Sequence, residues 1–179
     1  SKDPSHGAYG QEDLRIVDKL RLVSGARLTS EDKSDLYESR DLNTFGTSGF
    51  LAAGLIPVAA YAGNISETNA SWKFGLNYRP TDTILTYASV TRGFKSGGFF
   101  DNIASSLPEL TPYKPETLIA YEVGIKTAWN DGRVIANAAA YHYDWRQFQA
   151  SGLVCVGTPS VCVISLTNVG DARIDGLEA

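Results

Sequence analysis

The sequence predicts an all-β protein, an antiparallel meander of about seven strands, and three observations lead there. Apolar and polar residues alternate with a period of two in several stretches. No stretch shows convincing helical periodicity. The stretches are joined alternately by tight turns and by long irregular segments, which is the loop asymmetry of barrels that cross an outer membrane.

Taken in order, a partial strand is expected from about 7 to 17. From Lys19 to Glu31, Leu20, Leu22, Ala26 and Leu28 stand opposite Arg21, Gly25, Arg27, Thr29 and Glu31. The clearest segment runs from Trp72 to Pro80, where Trp72, Phe74, Leu76 and Tyr78 alternate with Lys73, Gly75, Asn77 and Arg79. From Thr83 to Lys95 the two faces are mixed. From Ile119 to Trp129, Ile119, Tyr121, Val123, Ile125 and Trp129 alternate with Ala120, Glu122, Gly124, Lys126 and Ala128. In Arg133–Gln149 the apolar phase moves from Val134, Ala136 and Ala138 to Tyr141, Tyr143 and Trp145, which predicts a bulge near Ala138–Ala140. A last partial strand is expected from about 170 to 179.

The tight turns fall at Val17-Asp18-Lys19, Pro80-Thr81-Asp82 and Asn130-Asp131-Gly132, the last with hairpin chemistry. The long connections are expected at about 33–68, 96–115 and 150–168. Tyr121 and Trp129 lie on one face, about 20 Å apart in height for a strand tilted near 40°. Trp129 and Tyr78 also adjoin tight turns. Such rings are favoured at the two rims of an apolar band about 25 Å tall. A wall of this kind carries Trp72, Phe74, Tyr121 and Val123 on its convex outer face.

Composition excludes other classes. A net charge of −4 and a pI near 5.1 leave no basic footprint, so a nucleic-acid partner is not expected. No run of roughly 18 apolar residues exists for a membrane helix, although a membrane strand needs only about 9 to 11 residues. The mean hydropathy of −0.15 does not register such strands. His6 and His142 have no partner at catalytic spacing, and no phosphate-binding glycine loop is present, so no enzyme, metal or cofactor is expected. Cys155 and Cys162 lie within CVGTPSVC without further zinc ligands. A local disulfide, implying an oxidising compartment, is favoured over two free small hydrophobes.

Five stretches then carry a resemblance: DKLRLVSGARLTSED (18–32), YASVTRGFKSGGF (87–99), KPETLIAYEVGIK (114–126), NDGRVIANAAAYHYDWRQFQ (130–149) and NVGDARIDGLEA (168–179). In this order and spacing they resemble the barrel of TonB-dependent outer-membrane receptors. The resemblance implies a 22-stranded barrel of the bacterial outer membrane, plugged by an N-terminal domain. It also implies uptake of a scarce solute, usually a ferric siderophore, energised through TonB. On that reading residues 1–179 are a partial barrel without the plug. Lys114, Pro115 and Glu116 match a motif just before a strand, continued by Tyr121, Glu122, Gly124 and Lys126. Arg92, Gly93 and Phe94 match a strand-top motif. Haem-specific relatives carry a histidine between these two motifs; none lies between Arg92 and Glu116, so haem is disfavoured.

Candidate solute-binding residues are Arg92 and Lys95 at a strand top with Phe99, Phe100, Asp101 and Tyr113 in the loop beyond, a cationic and aromatic group suited to an anionic ferric chelate. Phe50–Gly63 could line the mouth. Lumen-facing charges are expected at Arg27, Glu31, Lys73, Arg79, Glu122 and Lys126, in contact with a plug or passing anion or simply paired across strands. Other classes remain open: a small complete eight-stranded barrel with a structural or adhesive role, or a soluble carbohydrate-binding β-sandwich.

Overall fold

The computed structural model describes residues 3–38, 60–100, 112–156 and 161–179. They form one antiparallel sheet of seven strands in sequence order. The strands are β1 (Ser5–Val17), β2 (Leu20–Glu38), β3 (Ala60–Thr81), β4 (Ile84–Lys95), β5 (Glu116–Trp129), β6 (Val134–Val156) and β7 (Val161–Glu178). Each pairs only with its chain neighbours, so the described strands make neither a two-sheet sandwich nor a closed eight-stranded barrel. Tight turns at 18–19, 82–83 and 130–133 all lie at one end, here called the lower end. In the last of them Asn130 and Asp131 adopt φ near 54° and Gly132 81°, the left-handed conformations a sharp reversal requires.

Two expectations need correction. The irregular segment foreseen at 150–168 is mostly strand: β6 runs up to Val156, β7 starts at Val161, and Cys155 faces Cys162 in register. The two cysteines are disulfide-bonded with Cα atoms 4.0 Å apart. Strands likewise extend into the segment foreseen at 33–68. The bulge expected at Ala138–Ala140 is absent, because β5–β6 pairing is unbroken from Trp129↔Val134 to Thr117↔Arg146. The irregularity lies higher, between Trp145 and Gln149, where Gln147 has φ 53° and Gly170 129°. The change of apolar phase has another cause. Tyr141, Tyr143 and Trp145 stand on the otherwise polar face, where two rings, those of Tyr141 and Tyr87, cover cross-strand glycines. Tyr141 lies against Gly176, and Tyr87 lies so close to Gly124 that an added Cβ would meet its ring at 2.6 Å.

Among the described residues the sheet buries none of its large apolar side chains. Among the described residues the buried positions are Thr29, Gly75, Gly97, Gly98, Glu116, Gln149 and Ser165, all glycine or polar. One face instead exposes Leu28, Phe74, Leu76, Tyr121, Val123 and Leu177, with Phe74 51% and Tyr121 48% accessible. Trp72, Phe74, Tyr121 and Val123 fall on that same face by register. Water would oppose such a surface, and hydrocarbon would not.

The upper limit of this apolar face runs obliquely. Leu28 on β2 gives way to Ser30, Val90 on β4 to Arg92, Ala140 on β6 to His142, and Leu177 on β7 to Asp175. Ala26, Trp72, Arg92, Ile119, Asp144 and Arg173 share one row across β2 to β7. Ala26 lies two residues below the limit on β2, whereas Arg173 lies four residues above it on β7. The limit therefore falls about 20 Å across strands spaced over about 24 Å, a slant near 40°. The turns follow the same slant: Leu20, Tyr78, Thr86 and Ile125 share a row, where β2 begins but β5 continues to Trp129. Strands of closed membrane barrels tilt by about 35–45°. Once the strands are tilted by this much, the band becomes level.

Candidate functional site

Above the band, side chains from four strands converge on the two ends of the β4–β5 connection. The Gln149 amide on β6 donates to Ser96 O at 3.0 Å and to Lys114 O at 3.0 Å, joining the start of the connection to its end. Its backbone N–H donates to the buried Glu116 carboxylate at 2.6 Å. Asn168 on β7 accepts from Lys114 N at 2.7 Å and donates to Lys114 O at 2.9 Å and Gln147 O at 2.7 Å. From β2, Lys33 donates to Gly97 O at 2.6 Å and Glu31 accepts from the Ser96 hydroxyl. From β3, Glu67 accepts from Gly97 N at 3.2 Å. A two-bond bridge joins Gly98 and Tyr113. Gly97 is required at the centre: a Cβ there would sit 2.5 Å from Tyr113 O and 2.6 Å from Glu67 Oε1. Gln149 is only 5% and Glu116 7% exposed. Burial strengthens these bonds and makes each costly to leave unmade.

Beside this clamp opens a cleft of about 310 Å³ lined by Asp3, Lys33, Ser34, Asp35, Gly97, Gly98, Phe99 and Tyr113. Burial, and then the nearby Glu67 carboxylate, push the Tyr113 phenol above its ordinary pKa, so it remains a neutral hydrogen-bond donor.

The expected solute-binding residues are only partly brought together. Phe99 and Tyr113 share the cleft, and Phe100 is not among its lining residues. Lys95 pairs in register with Glu116 and is exposed on the polar face. Arg92 pairs with Trp72 and Ile119 on the apolar face, where its guanidinium donates to Ala70 O. Residues three apart on a strand point to opposite sides, so Arg92 and Lys95 do not form one cationic group. Asp101, and 50–59 of the apolar stretch Phe50–Gly63, lie outside the described residues.

Arg27, Glu31, Lys73, Arg79, Glu122 and Lys126 all fall on the polar face by register. Several are engaged there: Glu122 accepts from the Tyr87 hydroxyl at 2.5 Å, and the Lys126 ammonium lies 5.5 Å from the centre of the Tyr87 ring. Arg27 donates to Thr29 Oγ1 at 3.1 Å, and Glu31 lies 3.3 Å from the Lys33 ammonium.

A strand order without crossovers, an exposed apolar band and a strand-top clamp describe a piece of membrane-barrel wall. The family model of the TonB dependent receptor-like β-barrel matches residues 1–179 in full. The chain belongs to the TonB-dependent receptor family. Its place is the bacterial outer membrane. Among solved structures it is similar to the ferric yersiniabactin uptake receptor FyuA of Yersinia pestis, with a TM-score of 0.74 and 19% identity over 98% of this chain and 23% of that one. It is also similar to the copper transporter OprC, with a TM-score of 0.66 and 20% identity over 98% of this chain and 25% of that one. A third is the ferric-catecholate import receptor Fiu of E. coli K12, with a TM-score of 0.61 and 16% identity over 98% of this chain and 24% of that one. These likenesses establish the fold. The chain spans about a quarter of the length of these receptors.

Sequence reasoning missed Lys33, Glu67, Gln149 and Asn168. Glu116 was visible through its motif, but its partner Gln149 lies 33 residues away and belongs to a segment whose phase had been misread. The legible signal was Gly97-Gly98, a pair that marks close approach of another backbone.

Proposed function

We propose that these residues form part of the wall of an outer-membrane active-transport receptor that imports a scarce solute, a ferric siderophore, with energy delivered through TonB. The observation that carries the reading is the exposed apolar face with its limit slanted by the barrel tilt, in a chain that belongs to this receptor family. In this reading the polar face lines the lumen, and the plug and the TonB-contacting segment belong to other parts of the receptor. The solute side of the proposal draws on the cleft, where Phe99 and Tyr113 offer aromatic faces and Lys33 a cation, with Lys95 on the same face of the sheet. A neutral Tyr113 phenol suits hydrogen bonding to a chelate more than direct ligation of a bare ion.

The test is uptake by the full-length receptor in iron-starved cells. Radiolabelled ferric siderophore should accumulate when the receptor and TonB are both present and fail to accumulate when either is deleted. Accumulation of copper but not of any ferric chelate would overturn the solute assignment and leave the transport assignment standing.

A further inference from the structure

The cleft beside the Gln149 clamp is more acidic than a site for a purely anionic chelate should be. We infer that it binds a primary ammonium group, so that the imported chelate carries a protonated amine arm and seats it among Asp3, Asp35, Phe99 and Tyr113. The solute half of this inference rests on the reading of the cleft as part of the solute site, whereas the ammonium site stands on the cleft itself.

The charges are set by register. Glu31, Lys33 and Asp35 follow one another on the polar face of β2, and Glu67 of β3 is directly opposite Glu31. Lys33 is the one cation in the lining among the described residues. Its ammonium is engaged within the wall, donating to Gly97 O at 2.6 Å and lying 3.3 Å from Glu31. Below the cleft Lys95 is opposite Glu116, and Lys114 is exposed beside Tyr113. Once Lys33 is set against Glu31 and Lys95 against Glu116, three described carboxylates, Asp3, Asp35 and Glu67, face Lys114 alone. Such a cleft attracts a cation and repels an anion.

Its acceptors are also short of donors. Asp35 Oδ2 is buried without a hydrogen-bond partner. A buried acceptor left unpaired is costly, and a primary ammonium brings three N–H donors. The faces of Phe99 and Tyr113 add the negative side of an aromatic ring, which draws a cation within about 6 Å. A quaternary ammonium would use the rings and leave the carboxylates without a donor, so the primary amine is the better match. At about 310 Å³ the cleft is at the small end of the roughly 300–1,000 Å³ of ligand sites, room for an arm and not for a whole ferric chelate. The anionic metal centre would then lie toward Lys95, on the same face of the sheet.

The test follows pentylammonium, pentanol and pentanoate, probes of equal chain length, on the full-length receptor in detergent by saturation-transfer NMR. Pentylammonium should bind saturably, and Asp35→Asn should weaken it by about fivefold. Asp3→Asn, at an exposed side chain whose change leaves barrel assembly intact, should weaken it less. Pentanol and pentanoate should bind more weakly than pentylammonium and be no weaker in either variant. Pentanol or pentanoate binding as tightly as pentylammonium would overturn the site, and so would unchanged pentylammonium binding in both variants. In the iron-uptake assay, saturating pentylammonium should slow accumulation of the ferric siderophore and pentanol should not. Accumulation undisturbed by pentylammonium would overturn the amine arm. Failure of any ferric chelate to accumulate, with pentylammonium still bound by the wild type, would instead remove the iron reading and leave the ammonium site standing.

Discussion

The lower and upper halves of the sheet are held together by different means. Below the oblique limit, stability comes from pairing whose register shifts only beside the turns, at Arg15/Val17 and Tyr78/Thr81, from turn chemistry and from an apolar face that needs hydrocarbon. Above it, β2, β3, β6 and β7 continue beyond the roughly 9 to 11 residues that span a bilayer, and side-chain hydrogen bonds between distant strands take over. The lower half tolerates changes that keep the alternation. The upper half depends on individual residues such as Gln149, whose two amide protons tie Ser96 to Lys114.

The largest effect should come from placing charge on the apolar face. Val123→Arg in the full receptor should destabilise the barrel by about 2–4 kcal/mol, measured as a loss of the folded, heat-modifiable form in vesicles. Lys126→Glu, on the opposite face three residues away, should be much milder. Equal losses would erase the distinction between the faces.

Glycine positions sharpen the same contrast. Gly124→Val should force Tyr87 from its place and cost about 1–3 kcal/mol by thermal melting. Tyr87→Ala in the same chain should recover part of that loss by vacating the space.

In the upper half, Gln149→Ala should cost about 1–3 kcal/mol locally, because Ser96 O and Lys114 O lose a buried donor. Hydrogen exchange should rise at Gly97, Gly98 and Tyr113 and stay constant at Gly75 and Leu76. A rise along all of β3 would mean that the two halves unfold as one.

Smaller effects separate the strand-top cations. Lys95→Ala should weaken uptake of an anionic ferric chelate several-fold, whereas Arg92→Ala should leave it near wild type, since Arg92 faces the other side. The reverse order in a radiolabelled-iron assay would restore Arg92 to the solute site. Removing the disulfide with Cys155→Ser and Cys162→Ser should matter least for the barrel, because the hairpin is already paired in register on both sides of it.

What was legible in the sequence divides along the same line. Trp72–Pro80 and Ile119–Trp129 could be read directly, because one side meets grease and the other meets water, and a period of two follows. Arg133–Gln149 misled for a physical reason. An aromatic on the polar face is as apolar in a pattern as one facing lipid, and only the cross-strand glycine, invisible in a linear reading, explains Tyr141. The long loops were overestimated because strands that rise above the bilayer lose their alternation without losing their pairing. Ser30 with Thr68 and Ser34 with Asn64 are polar on the outward side too.

The central claim, that the band is tilted with the strands and faces lipid, can be measured most directly by nitroxide scanning of the full receptor in vesicles. Single spin labels would be placed at Leu28, Ser30, Phe74, Gly75, Val90, Arg92, Ala140 and His142, with collision rates recorded against oxygen and against a water-soluble nickel chelate. Oxygen-dominated relaxation is expected at Leu28, Phe74, Val90 and Ala140 and nickel-dominated relaxation at Ser30, Gly75, Arg92 and His142, with the crossover at one depth on β2, β4 and β6. Crossovers that follow a register row instead of the slant, or equal accessibility at Phe74 and Gly75, would contradict it.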